Sequence, residues 1–203
     1  MAEIDAYEGI IFDYGGVLVH HQSLECQTRM AGVVGVPLER YNQIYWSDLR
    51  FDYDKALLTA AEYWRAVAAA AETTLSREQI DELIALDVAS WMDYDEGMWE
   101  WMAALRAAGK RLAVLSNMPL DLGEALRYRT HRFDPFDHVT LSYELNAAKP
   151  EPVIYHDCLS GLGTPAAKTL FLDDRLVNIE AAGKLGIQGR LFTSRDEVLA
   201  KLL

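Results

Sequence analysis

The chain has 203 residues, about half hydrophobic (51%) and a quarter charged (25%), so it can bury a full core without disulfides or structural metal. Its 19 Lys and Arg against 31 Asp and Glu give a net charge of −12, which argues against a nucleic-acid binder or a peripheral protein of anionic membranes, since both need a basic footprint. A small anionic substrate needs only local positive charge and stays open. Cys26 and Cys158 stand in no CxxC or Cys/His zinc spacing, so idle thiols in a reducing compartment are expected. The start, MAEIDAYEG, is acidic and lacks a basic-then-apolar leader, and no apolar run approaches a membrane span. A cytoplasmic protein is expected.

In chain order, Gly9 to Phe12 is a short apolar run closed by Asp13 and followed by Gly15-Gly16. That is the pattern of a fully buried parallel strand. From 22 to 96 strand-like runs vanish. Leu24, Met30 and Val33-Val34 are spaced like one helical face, and Pro37 opens a helix carrying Leu38, Tyr41, Ile44 and Tyr45. Thr59 to Glu62 has capping-box spacing, and Ser76 to Gln79 opens another helix. Strand–helix alternation then resumes. Helices are expected at Met98–Ala108, Leu120–Tyr128, Pro152–Ser160 and Asn178–Leu185, with a last one closing the chain. Gly109, Gly161, Gly163 and Gly186 act as stops. Strands are expected at Arg111–Ser116, His138–Ser142, Thr169–Asp174 and Gly189–Phe192. The fold class is therefore α/β: a doubly wound, Rossmann-like parallel sheet, with 1–20 and 97–203 as the core and 21–96 as a helical cap inserted after the first strand.

Strand ends of a parallel sheet share one edge, where open α/β sheets place their sites. Asp13, Ser116, Asp173-Asp174 and, shortly after the third strand, Lys149 fall there. Crowded carboxylates repel one another, and Mg²⁺, a hard cation that takes oxygen ligands, relieves the repulsion. Lys149 adds a second positive charge for an anion. Among the aromatic residues of the cap (Tyr41, Tyr45, Trp46, Phe51, Tyr53, Tyr63, Trp64, with Arg50 nearby), most are expected in its core and one or two against a substrate. Trp99-Glu100-Trp101 is expected to pack.

These stretches resemble the motifs of the haloacid dehalogenase-like hydrolase superfamily. Phe12-Asp13-Tyr14-Gly15-Gly16-Val17-Leu18 is similar to the first, Leu115-Ser116-Asn117 to the second, Lys149-Pro150-Glu151-Pro152 to the third, and Asp173-Asp174 with Asn178-Ile179 to the fourth. All four stand in order over the whole chain. Within the superfamily the chain looks like the branch acting on sugar phosphates, including α-D-glucose-1-phosphate phosphatases. The resemblance implies Asp13 as nucleophile, passing through an aspartyl-phosphate. It implies Mg²⁺ held by Asp13, the Gly15 carbonyl, Asp174 and Asp173, and phosphate held by Ser116, the Asn117 amide and Lys149. The partner implied is a small phosphorylated metabolite, with neither nucleic acid nor membrane, and the chain is expected as a monomer or homodimer. The sequence departs from many phosphatases of the superfamily at Gly15, where they carry an aspartate that protonates the leaving group. Such a group is worth about 10²–10⁴ in rate. Either the enzyme prefers good leaving groups, or His20 or His21 supplies the acid. Two other readings stand beside the phosphatase: a metal-independent 2-haloacid dehalogenase, whose first motif places a tyrosine differently from Tyr14, and a non-catalytic binding module.

Overall fold

The computed structural model describes residues 2–202. Strand β1 (Gly9–Phe12) leads into the helices α1 (Leu24–Val34), α2 (Leu38–Tyr45), α3 (Asp48–Asp54), α4 (Ala60–Ala70), α5 (Arg77–Ser90) and α6 (Glu96–Ala107). Next come β2 (Arg111–Ser116), α7 (Leu120–Glu124), β3 (His138–Leu141), α8 (Ser142–Leu145) and α9 (Pro152–Leu162). The chain closes with β4 (Thr169–Asp173), α10 (Leu176–Lys184), β5 (Gln188–Leu191) and α11 (Arg195–Leu202). The strands form one parallel sheet in the order β3-β2-β1-β4-β5. In register, Phe12 lies opposite Val114 and Leu172, so the C-terminal tips of β1, β2 and β4 come out at one edge. The expected doubly wound α/β architecture is present.

β1 and β4 are buried at every position, which is why they read as unbroken apolar runs. Alternate side chains enter different layers. Ile10, Phe12, Leu112, Val114 and Leu172 pack with Trp99, Trp101 and Met102 of α6 and Val198 of α11. Ile11, Ala113, Leu115 and Phe171 pack with Ile154, Tyr155 and Cys158 of α9 and Ala182 of α10. Fully burying one of the larger of these side chains is worth about 1.5–3 kcal/mol. Trp99 and Trp101 are thus core residues, and Trp99 Nε1 donates to the Leu18 carbonyl at 2.9 Å.

Helices α1–α5 have a hydrophobic cluster of their own, built on Met30, Tyr41, Tyr45, Tyr63, Trp64, Val67 and Leu83. Two capping boxes start α4 and α5, with Thr59 paired to Glu62 and Ser76 to Gln79. Losing the Thr59 cap costs about 1 kcal/mol. The insertion also touches the sheet half directly. Tyr53 Oη donates to Asp121 at 2.9 Å, Asn146 Nδ2 to the Lys55 carbonyl at 2.8 Å, and Ser142 Oγ to the Asp54 carbonyl.

Several expectations need correction. Leu24 is 68% exposed, so the buried face of α1 is Met30, Ala31 and Val34 without it. The helix expected over Leu120–Tyr128 is α-helical only to Glu124 and continues as a wider π-turn over Ala125–Arg129, closed by Thr130 N–H on the Ala125 carbonyl at 3.2 Å. Helix α9 runs through Gly161 and stops at Gly163, where the backbone turns left-handed. Helix α6 begins at Glu96, because the Asp95 side chain caps it by accepting from Met98 N at 3.2 Å. Helix α10 begins at Leu176, ahead of the expected Asn178. Among the described residues no helix is long and apolar enough to cross a membrane.

Candidate functional site

The ladder of β1 carries past its last residue, with Asp13 N–H on the Leu172 carbonyl at 2.8 Å, so the Asp13 side chain is delivered at the sheet edge. The chain then turns within one residue. The Tyr14 carbonyl accepts from Leu18 N at 2.9 Å and Val19 N at 3.2 Å, and Gly16 takes a left-handed conformation (φ +74). A Cβ on Gly16 would lie 2.6 Å from the His21 ring and 2.9 Å from Asp174 Oδ2. Only glycine lets Asp174 and His21 close over this turn.

Lys149 is 2% exposed and lies at the centre. Its Nζ stands 2.7 Å from Asp13 Oδ1 and 2.7 Å from Asp173 Oδ2. Burial opposes its charge, but the two carboxylates more than offset that and raise its pKa. Asn117 fixes the loop that carries it: Asn117 Nδ2 donates to the Lys149 carbonyl at 3.0 Å, and Lys149 N donates to Asn117 Oδ1 at 2.8 Å. This clamp by the Asn117 side chain was not legible in the sequence, which singled out only its backbone amide. Ser116, at the tip of β2, is buried, and among the described residues its hydroxyl makes only a long 3.5 Å contact to the Asn117 carbonyl.

The acids divide into two kinds. Asp173 is fully buried and its acceptors are spent. Oδ1 takes Arg175 N at 2.8 Å and Asn178 Nδ2 at 2.9 Å, and Oδ2 takes Lys149. Burial alone would raise its pKa; those donors hold it below the usual range. Asp13 and Asp174 go the other way. Burial pushes Asp13 well up, with Asp173 and Asp174 adding and Lys149 opposing, and burial plus the Asp173 charge raise Asp174. Asp13 Oδ2 accepts no hydrogen bond among the described residues, and the polar neighbour of Asp174 is His21 Nε2 at 3.4 Å. The carboxylates of Asp13, Asp173 and Asp174 lie within 4.8 Å of one another. Asp13 and Asp174, clustered beside Asp173 and held in an environment that disfavours their charge, keep acceptors suited to a hard divalent cation.

Asp13, Gly15, Ser116, Asn117, Lys149 and Asp174 all line one cavity of about 610 Å³; Asp173 stands behind it. The two histidines separate. His21 lines the cavity, whereas His20 is exposed and away from it, its backbone N–H on the Asp93 carbonyl at 2.8 Å. Of the aromatic residues of the insertion, Tyr41, Tyr45, Tyr63 and Trp64 are wholly buried in its core, while Trp46 and Phe51 face the cavity. Sequence reading missed Trp91, which also lines it. The local hint was Gly15, whose missing side chain leaves room beside Asp13, but nothing nearby in the sequence encodes what fills that room.

The sequence profile of the haloacid dehalogenase-like hydrolases matches residues 7–186. A phosphatase of Mycobacterium tuberculosis (MT3486) is 27% identical over 205 residues, 95% of this chain and 92% of that protein. A sesquiterpene phosphatase of Aspergillus oryzae is 30% identical over 95 residues, and the match spans only 48% of its length. In fold, the chain is similar to a haloacid dehalogenase-family enzyme of Bacteroides thetaiotaomicron solved with magnesium and inorganic phosphate, at a TM-score of 0.76 and 23% identity over 95% of this chain and 98% of that one. With the profile covering most of its length and the strand-tip residues converging as described, the chain belongs to the haloacid dehalogenase-like hydrolases.

Proposed function

We propose that the chain is a Mg²⁺-dependent phosphatase of a small phosphorylated metabolite, a sugar phosphate among the candidates, acting through phosphorylation of Asp13. The observation that carries this is the placement of Lys149, sealed from solvent and 2.7 Å from Asp13, in the wall of one cavity that Ser116 also lines. A buried ammonium at that spot balances one carboxylate and offers charge to an anion. The names of the mycobacterial relative and the ligands of the Bacteroides enzyme support the same reading.

In the first step an Asp13 carboxylate oxygen attacks phosphorus, and the ester oxygen leaves with its electron pair. In the second, water attacks the phosphorus of the acyl phosphate and returns Asp13. Ser116 and the Asn117 amide would hydrogen-bond the phosphoryl oxygens, and Lys149 would hold both those oxygens and Asp13. Asp173 keeps Lys149 in place, and the Asn117 side chain fixes the Lys149 loop. Mg²⁺ would be held by Asp13, the Gly15 carbonyl and Asp174. Acceptor count favours Asp174 over Asp173, whose lone pairs are already spent. When bound, the ion screens the repulsion between carboxylate and phosphate and stabilises charge on the transferring group. The helical insertion acts as a cap over the cavity, keeping bulk water from the phosphoryl aspartate.

The test is phosphate release over a panel of phosphate monoesters, with Mg²⁺ and with EDTA, for the wild type and Asp13→Asn. Asp13→Asn should lose at least about 10³-fold in kcat, the usual consequence of removing a nucleophile. Full turnover in that variant would sink the mechanism, and halide release without metal would replace it with dehalogenation.

A further inference from the structure

Trp91 has no part in the scheme above, yet it stands beside the nucleophile. A Cβ on Gly15 would lie 3.1 Å from its Cζ3, 3.6 Å from Cε3 and 3.7 Å from Cη2, so the six-membered ring of the indole covers the place where a side chain at position 15 would go. The Trp91 backbone is fixed by two hydrogen bonds, and its ring meets an aromatic neighbour. Tyr14 Oη donates to the Trp91 carbonyl at 2.8 Å, Trp91 N donates to the Val88 carbonyl at 3.3 Å, and Trp46 meets it edge to face at 6.2 Å. Trp46, Trp91 and Phe51 all line the cavity. The indole brings no donor to it, because Trp91 Nε1 is sealed from solvent without a partner among the described residues. Trp91 therefore brings an aromatic surface and no proton donor to the Gly15 side of Asp13, and the nearby titratable ring is His21, which lines the same cavity beside Gly16.

Resting on the phosphoryl-transfer reading, we propose that Trp91 is a specificity-determining residue that seats the leaving group. By filling the space at Gly15 it keeps a proton-donating side chain away from the departing oxygen. The substrate class that follows is a phosphate ester with two properties. Its leaving oxygen is stabilised as an anion, as in aryl, enol or anomeric esters, and the group bearing it has a flat or apolar face that can lie on the indole. The step balances without an enzymic acid. The Asp13 O–P bond forms, the ester P–O bond breaks, the leaving oxygen departs with the electron pair, and it takes its proton from water. Gly15→Asp alone would not restore an acid, since its Cβ already presses the indole, and it needs a smaller residue at 91.

The test measures kcat/KM, which reports on the first phosphoryl transfer, for para-nitrophenyl, phenyl and benzyl phosphate with Mg²⁺. The enzymes are the wild type, Trp91→Phe, Gly15→Asp and Gly15→Asp/Trp91→Ala. In the wild type, kcat/KM should fall by at least about 100-fold along the series, the low end of what a missing general acid is worth. Trp91→Phe should raise KM for the aryl esters with the slope kept. The double variant should turn over benzyl phosphate about 10-fold or more faster than Gly15→Asp, flattening the series. A flat series in the wild type overturns the proposal, as does a Gly15→Asp variant that flattens it as well as the double variant. So does a steeper series in His21→Ala, which would show His21 delivering the proton. A flat series alongside an inactive Asp13→Asn removes this proposal and leaves the phosphatase standing. No phosphate from any ester removes the phosphatase reading itself.

Discussion

Two buried cations divide this molecule, each held between two aspartates. At the sheet edge Lys149 contacts Asp13 and Asp173, both at 2.7 Å. In the insertion Arg50 contacts Asp54 and Asp87, both at 2.8 Å. By charge arithmetic the two look alike, and the difference lies in what surrounds them. Around Arg50, Asp87 also accepts from Tyr45 Oη and Gln22 Nε2, and Gln22 donates to Ser90 Oγ at 2.7 Å. This set ties the segment entering the insertion, at Gln22, to its last helix, at Asp87 and Ser90. Around Lys149 a third carboxylate is added with little to neutralise it, and Asp13 keeps an unspent oxygen toward the cavity. A buried ion pair by itself marks nothing. Arg50 and Asp54 reach the wall of the same cavity with their charges paired to each other, so what marks the site is excess charge and free acceptors there.

The sharpest way to break that comparison is to remove each cation. Lys149→Met and Arg50→Met should each cost about 3–5 kcal/mol, because each strands buried carboxylates without a partner. Urea unfolding reads this loss. Activity per folded molecule should differ: it falls at least about 10³-fold in Lys149→Met if Lys149 holds the transferring group. In Arg50→Met, whose side chain borders the same cavity but touches no group of the reaction scheme, it should fall by no more than about 10-fold. Equal loss in both would make the Arg50 set part of the reaction machinery and end the distinction.

A second prediction sharpens the role of the free acceptors. Mg²⁺ at a hundredfold excess over its Kd should stabilise the wild type by about 2.7 kcal/mol, seen as a rise in Tm, while leaving Asp174→Ala nearly unmoved. Asp87→Asn should keep the full metal-dependent rise, since Asp87 belongs to the other set. A rise that survives Asp174→Ala would place the ion elsewhere.

The strand tips were legible because a parallel sheet turns short apolar runs ending in polar residues into one shared edge. Asp13, Ser116, Lys149 and Asp174 came together from that rule. Helix α3 was not legible. It is seven residues long and lacks a full apolar period; the Ser47 cap, the Arg50 pairings and the Tyr53–Asp121 contact set it in place. Leu24 misled because periodicity reports a candidate face, and only packing decides where that face ends. Trp91 escaped for a different reason. Its relation to Gly15 is carried by a turn and by Tyr14 reaching a carbonyl 77 residues away, and no local pattern encodes a meeting at that separation. What a site binds at its walls is therefore harder to read than what it does at its centre.

The smallest predicted effect asks where the insertion keeps its proton. Burial first, with the Asp87 charge adding and Arg50 opposing, moves Asp54 from the ordinary aspartate value of 3.8 to about 6. With the folded value above the unfolded one, Asp54 contributes stability that is fully present below about 3.8 and is lost as pH rises through about 6. In Asp54→Asn the side-chain oxygen can still accept from Arg50 Nε, but the titration is gone. The unfolding free energy of the wild type minus that of the variant should therefore rise by about 1–3 kcal/mol as pH falls from neutrality toward 4, read from urea midpoints. A flat difference would mean Asp54 is as fully ionised as a surface aspartate. The Arg50 set would then keep its excess negative charge down to about pH 4 instead of shedding it below about pH 6, and burial would not be what sets the proton affinity of Asp54.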